Sequence, residues 1–246
     1  MTKREVAVPT PDGTCPALVV TPDGAGPWPA VIMFPDAGDL RPTFHDMGQQ
    51  LADLGYVAFV PELYYRLGPY EPFEMATAFS DADERARLMG MVASVTKENA
   101  ARDAGAFLDY LGALPEVAGS KVGTTGYCMG GGLSLTAAAH YPDRVAAAAS
   151  FHGGRLADDA PDSPHLVAGQ IRGRVYVAGA ENDGSFPPEQ ADRLAAALTA
   201  GGVEHTIETY PALHGFAVPD NPTYDADAAA RHWKELEALY GATLSA

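Results

Sequence analysis

Cysteine is scarce in this chain. Cys15 and Cys128 are the only two in 246 residues, they stand far apart, and neither belongs to a C-x-x-C or Cys/His ligand pattern. A disulfide framework and a zinc site are therefore not expected. Basic residues are also few: 16 Lys and Arg face 32 Asp and Glu, for a formal net charge of −16. Such a field repels phosphate backbones and anionic membranes, which argues against nucleic acid as a partner. No segment approaches the roughly 18 uninterrupted apolar residues of a membrane span. Met1-Thr2-Lys3-Arg4-Glu5 leads into an alternating strand rather than an apolar signal core, so a cytoplasmic protein is expected. Internal repeats, coiled-coil heptads and metal, flavin, nicotinamide or phosphate-loop motifs are missing as well. That leaves neither metal nor cofactor to expect, and a monomer or small homo-oligomer as the default.

What is present reads as an ordinary globular chain, with 47% hydrophobic and 20% charged residues and enough length to bury roughly 70–75% of its unfolded surface. Val6-Ala7-Val8 and Ala17-Leu18-Val19-Val20, separated by Pro11-Asp12-Gly13, predict an antiparallel hairpin. Ala30-Val31-Ile32-Met33-Phe34 is a continuous apolar run suited to a strand buried on both faces. Strands then alternate with helices: a helix from Pro42 to Leu54, strand 56–60, a helix from Lys97 to Leu114, strand 122–127, helix 130–140, and strands 145–151 and 174–178. Helix 188–200, strand 203–209 and helix 224–240 complete the pattern. Apolar strands alternating with amphipathic helices need crossover connections. The expected class is α/β, with a mostly parallel sheet, an antiparallel N-terminal hairpin and helices on both faces. One domain over 1–246 is expected, with a cap-like insertion of mixed character at 62–95.

Gly126-Tyr127-Cys128-Met129-Gly130 has the form Gly-x-nucleophile-x-Gly where a strand gives way to a helix. A sharp strand-to-helix turn forces its central residue into a strained conformation and needs glycine on either side, because a Cβ there would collide with the neighbouring strand or helix. A helix N-terminus beside the sulfur favours thiolate. The competing readings are a small buried cysteine, or a phosphate loop, which lacks the Gly-Lys-Ser/Thr continuation.

A nucleophile of this kind needs a base and an acid to orient it, in the chain order nucleophile, acid, base. Asp183 lies in the loop after Val175-Tyr176-Val177-Ala178, with Glu181 as a rival. His214 lies in the loop after Ile207-Glu208-Thr209-Tyr210, and His152, the other histidine in a loop after a strand, fits better as a pocket-lining group. Each sits past the C-terminal end of its strand, where open α/β sheets assemble their sites. The backbone amides of Met129 and Ala37 occupy the positions that an oxyanion hole requires.

These stretches, with Val60-Pro61-Glu62-Leu63-Tyr64, Asp83-Glu84-Arg85-Ala86-Arg87, Gly179 to Asp183 and His214-Gly215-Phe216, resemble the dienelactone hydrolase family of the α/β-hydrolase superfamily. The resemblance implies hydrolysis of a small ester or lactone through an acyl-cysteine, with Cys128, Asp183 and His214 as the triad. It also places Asp36 where the family has a glutamate that interacts with the resting cysteine. Of two arginines that hold a substrate carboxylate in the family, the first corresponds to Arg87 and the second falls at Val218, which argues against dienelactone itself as substrate. A thioesterase or acyltransferase with the same triad, and a non-catalytic binding protein on the same scaffold, are the alternative readings.

Overall fold

The computed structural model describes residues 2–244. The strands are β1 (Thr2–Thr10), β2 (Gly13–Thr21), β3 (Ala30–Phe34), β4 (Val57–Pro61), β5 (Val122–Tyr127), β6 (Val145–Phe151), β7 (Arg174–Ala180) and β8 (His205–Tyr210). The helices are α1 (Pro42–Asp53), α2 (Ala82–Ser94), α3 (Lys97–Gly112), α4 (Met129–His140), α5 (His165–Ala168), α6 (Pro188–Ala200) and α7 (Ala226–Thr243). All eight strands join one mixed sheet in the order β1-β2-β4-β3-β5-β6-β7-β8. β2 runs antiparallel to both β1 and β4, and from β4 to β8 every neighbouring pair is parallel.

The alternating sides of a pleated strand explain how one apolar run serves two cores. In β3, Ala30, Ile32 and Phe34 pack into a layer with Phe107 and Leu108 of α3, Leu133 and Leu135 of α4, and Leu194 and Leu198 of α6. Val31 and Met33 face the opposite layer, where α1 contributes Phe44, Met47 and Leu51 and α7 contributes Leu236, Leu239 and Tyr240. This is the α/β arrangement expected from the alternation of strands and helices, and the α/β-hydrolase fold that the family resemblance implies.

Local chemistry sets the helix starts. Pro42, which needs no N–H partner, opens α1. Thr96 Oγ1 accepts from Asn99 N at 3.1 Å to cap α3, and Asp225 Oδ1 accepts from Ala228 N at 2.9 Å to cap α7. The segment read from sequence only as mixed carries α2, capped by Asp81 on the amides of Asp83 and Glu84, after a short 3₁₀ turn at Tyr65–Leu67. The short α5 was also not expected. β7 runs two residues beyond its expected end, and β8 begins at His205 rather than 203.

Because the central strands are parallel, their carbonyl ends gather on one edge. The residues following β3, β5, β6, β7 and β8 there are Asp36 and Ala37, Cys128, His152, Asp183 and His214.

Candidate active site

Cys128 occupies the turn between β5 and α4 with φ 54° and ψ −117°, a conformation that L residues rarely adopt. The two glycines make it possible. A Cβ at Gly126 would lie 1.9 Å from the Gly130 carbonyl oxygen, and one at Gly130 would lie 2.3 Å from the Phe34 carbonyl oxygen. The turn is held by Cys128 N donating to Phe151 O at 3.2 Å and by Gly131 N donating to Cys128 O at 3.1 Å. The half-buried thiol stands at the N-terminal end of α4. Cys15, by contrast, is fully buried, and burial pushes its thiol up, away from reactivity.

His214 and Asp183 come together as the sequence suggested. His214 Nδ1 lies 2.7 Å from Asp183 Oδ2. The other carboxylate oxygen accepts from Ser185 N at 2.8 Å and Ser185 Oγ at 2.6 Å. Burial pushes the Asp183 carboxyl up, but hydrogen bonds from His214 and Ser185 outweigh it and hold the group down at about 2. Burial likewise pushes the His214 imidazole down, and is outweighed by hydrogen bonds to Asp183 and Cys128, which raise it to about 10. Glu181, the rival acid, is exposed. Ser185 was not anticipated, although Asp183-Gly184-Ser185 has the form of an Asx turn.

Met129 is the first residue of α4, where amides have no partner within the helix. Ala37 faces the same cavity as Cys128 and His214. Two further residues fix this edge of the site, and sequence reasoning missed the role of both. The buried Tyr64 hydroxyl donates to the Ala37 carbonyl at 2.7 Å and lies 3.9 Å from the Met129 sulfur. Buried Asp39, at φ 58°, accepts from Leu63 N at 2.8 Å, Tyr64 N at 3.0 Å and the Tyr70 hydroxyl at 3.0 Å. Desolvation raises its carboxyl to about 6 despite these donors. The one readable signal was the Asp-rich loop Asp36-Ala37-Gly38-Asp39 directly after β3.

Asp36 borders the cavity, but its carboxylate is occupied elsewhere. Oδ1 accepts from Arg41 Nη1 at 2.6 Å and Gly38 N at 2.8 Å, and Oδ2 accepts from Arg41 Nη2 at 3.1 Å. Arg41 also binds Asp220 through Nε and Nη2, both at 2.7 Å. It thus ties the loop after β3 to the loop that follows His214.

Arg87 is not brought into the group. It pairs with Glu84 at 2.7 Å one turn away on α2, donates to Glu71 O at 2.8 Å and lies over the Phe73 ring at 3.7 Å. Instead, the segment between β4 and α3 sends Met75 and Phe79 to the cavity, and the loop after β8 sends Gly215 and Asn221. Tyr64, Tyr65, Tyr70 and Phe73 of the same segment are not on its wall. The cavity measures about 30 Å³, room for a water or two. Among the described residues no cluster of His, Cys, Asp or Glu is arranged to hold a metal, and no helix is long and apolar enough to cross a membrane.

Residues 15–244 match the model of the dienelactone hydrolase family. The chain belongs to that family. It is a hydrolase of the dienelactone hydrolase type. A Synechocystis protein provisionally named carboxymethylenebutenolidase is 28% identical over 246 residues, an alignment that takes in 96% of this chain and 94% of the relative. A provisionally named dienelactone hydrolase from Klebsiella pneumoniae superposes with a TM-score of 0.83 at 25% identity, covering 98% of each chain. A dienelactone hydrolase-like promiscuous phosphotriesterase from metagenomic libraries does so with a TM-score of 0.80 at 28% identity, again over 98% of each. Within this family the elbow, the histidine after β8 and the aspartate after β7 are the groups whose chemistry needs explaining.

Proposed function

We propose that this dienelactone hydrolase family member cleaves a small ester or lactone by covalent catalysis, with Cys128 as nucleophile, His214 as acid and base, and Asp183 as its orienting carboxylate. The observation that carries the reading is the strained elbow at Cys128 combined with the 2.7 Å His214–Asp183 contact on the same sheet edge. The names of the relatives add weight to an ester or lactone substrate.

In the first half-reaction the Cys128 sulfur attacks the ester carbonyl carbon. The amides of Ala37 and Met129 donate to the oxygen that becomes negative. The bond to the alcohol oxygen then breaks, and that oxygen takes the proton carried by His214. In the second half-reaction water attacks the thioester carbonyl while His214 accepts its proton. The acid departs, restoring thiolate and imidazolium. A histidine held protonated to about pH 10 suits a mechanism that begins from the ion pair and must deliver a proton to an alkoxide. Ser185 locks Asp183 by two hydrogen bonds, leaving the second oxygen for His214.

The test is a panel of p-nitrophenyl esters and small lactones assayed before and after iodoacetamide, with mass mapping of the alkylated site. Loss of activity in step with labelling of Cys128, with buried Cys15 unlabelled, is the expected result. A Cys128→Ala variant retaining more than a few per cent of turnover would sink the covalent scheme. Faster consumption of acyl donor when an alcohol or coenzyme A thiol replaces water would reassign the second half-reaction to acyl transfer.

A further inference from the structure

His152 stands out among the groups that the mechanism leaves idle. It is completely buried, yet neither ring nitrogen forms a hydrogen bond to another described residue. A buried polar atom without a partner is costly, so such groups are uncommon away from sites that use them. The backbone that carries His152 is itself strained. It takes φ 39° directly after β6 while its N–H donates to Ala178 O at 2.8 Å. The imidazole faces the cavity that holds Cys128, Ala37 and His214. It packs edge-on against the rings of His214, at 5.2 Å between centroids, and Phe216, at 4.9 Å. Burial, reinforced by the neighbouring His214 and His232, drives its protonation far below the ordinary histidine range. The ring is therefore neutral at physiological pH, with one N–H to donate and one nitrogen to accept.

The geometry points to His152 as a specificity-determining residue that hydrogen-bonds a second, uncharged oxygen on the alcohol side of the substrate, close to the oxygen that His214 protonates. This inference rests on the catalytic reading above and narrows it to one substrate class: esters and lactones whose alcohol portion carries a hydroxyl or carbonyl near the ester oxygen. Three features select that class. His152 lies against His214, the group that serves the leaving oxygen, so a substrate atom within reach of both rings belongs to the alcohol half. Among the described residues the cavity wall offers no cation besides the His214 imidazolium, which serves the leaving oxygen, because Arg87 is held by Glu84 and Glu71, and Val218 is apolar. The only carboxylate on the wall, Asp36, is neutralised by Arg41. Finally, a neutral imidazole both donates and accepts, so a hydroxyl, which does the same, satisfies it fully, whereas a methyl in that place leaves it unpaired.

The experiment compares 2-hydroxyethyl butyrate with propyl butyrate, which differ only in a terminal OH for CH₃, by following butyrate release. The wild-type enzyme is expected to favour the hydroxyethyl ester in kcat/KM by about tenfold or more, since a site with an unpaired polar group discriminates against the analogue lacking its partner. His152→Leu is expected to bring that ratio close to one, chiefly by raising KM for the hydroxyethyl ester. His152→Gln, which keeps a donor and an acceptor, should restore part of the preference, and circular dichroism with thermal melts establishes that both variants fold. Equal kcat/KM for the two esters in the wild-type enzyme, a measurement independent of any variant, overturns the inference. A preference that survives in folded His152→Leu does so too. These outcomes differ from failure of the catalytic reading, in which neither ester acylates Cys128 and the mass of the protein stays unchanged.

Discussion

Gly130→Ala is the sharpest test of how packing builds the catalytic geometry. The added Cβ would sit 2.3 Å from the Phe34 carbonyl oxygen and 2.4 Å from the Pro35 carbonyl oxygen, both rigid backbone atoms. Carbon and carbonyl oxygen approach comfortably only to about 3.3 Å, so the first turn of α4 must withdraw from the end of β3 by roughly 1 Å. The contact lies between the two amides assigned to the oxyanion, since Ala37 follows Phe34-Pro35-Asp36 and Met129 precedes Gly130. Separating them by that amount should lower kcat on the order of 10²-fold. Overpacking of this kind costs about 1–3 kcal/mol, or about 2–12 °C in Tm for a protein of this size. The matched control is Gly90→Ala on the exposed face of α2, where a new Cβ meets nothing within 4 Å. It should raise stability by about 0.5–1 kcal/mol and leave turnover unchanged. The assay is ester hydrolysis at saturating and subsaturating substrate, together with thermal melts of both variants. If Gly130→Ala keeps wild-type kcat and Tm, the close approach of α4 to β3 does not hold the oxyanion donors, and the reasoning fails.

Asp183→Asn removes the carboxylate that holds His214 protonated, so kcat should fall on the order of 10³-fold or more. The alkaline limb of the pH profile should move down from about pH 10 toward an ordinary histidine; an unmoved limb would mean that another group sets it. The sign for stability follows from the same shift: the His214 contribution is fully present below pH 6.5 and disappears as pH rises through about 10, so urea melts of the wild type should weaken over that window and those of Asp183→Asn should weaken less. Arg41→Met leaves Asp36, with 4% side-chain exposure, as an uncompensated buried charge and should cost about 3–5 kcal/mol in urea denaturation; a loss below about 1 kcal/mol would show that Asp36 finds another partner or a proton. Arg87→Ala should change stability by less than about 1 kcal/mol, as for other exposed pairs, and leave kcat/KM unaltered even for esters carrying a carboxylate. A selective loss on those esters would return Arg87 to the site.

The chain itself determined a great deal. Continuous apolar runs such as Ala30 to Phe34 can be buried only in a sheet covered on both faces, and that requirement fixes the parallel order and its exposed carbonyl edge. The elbow was equally legible, because glycines on both sides of Cys128 have a steric reason that acts within five residues. The order Cys128, Asp183, His214 followed from the same logic, since each lies just beyond a strand that had to end on one edge.

Tertiary structure decided what depends on pairs remote in sequence. Whether Asp36 serves Cys128 turned on Arg41, whose guanidinium reaches both Asp36 and Asp220; no local pattern encodes that choice. Arg87 fitted a family motif, but the phase of α2 and the position of Phe73 turn it away from the cavity. Tyr64 and Asp39 hold the loop after β3 only because β3 and β4 end side by side, and His152 shows its unpartnered nitrogens only once His214 and Phe216 close around it. Periodicity and turn chemistry act over a few residues and so can be read along the chain, whereas the partner of a buried charge or an imidazole is selected by the packing of the whole sheet edge.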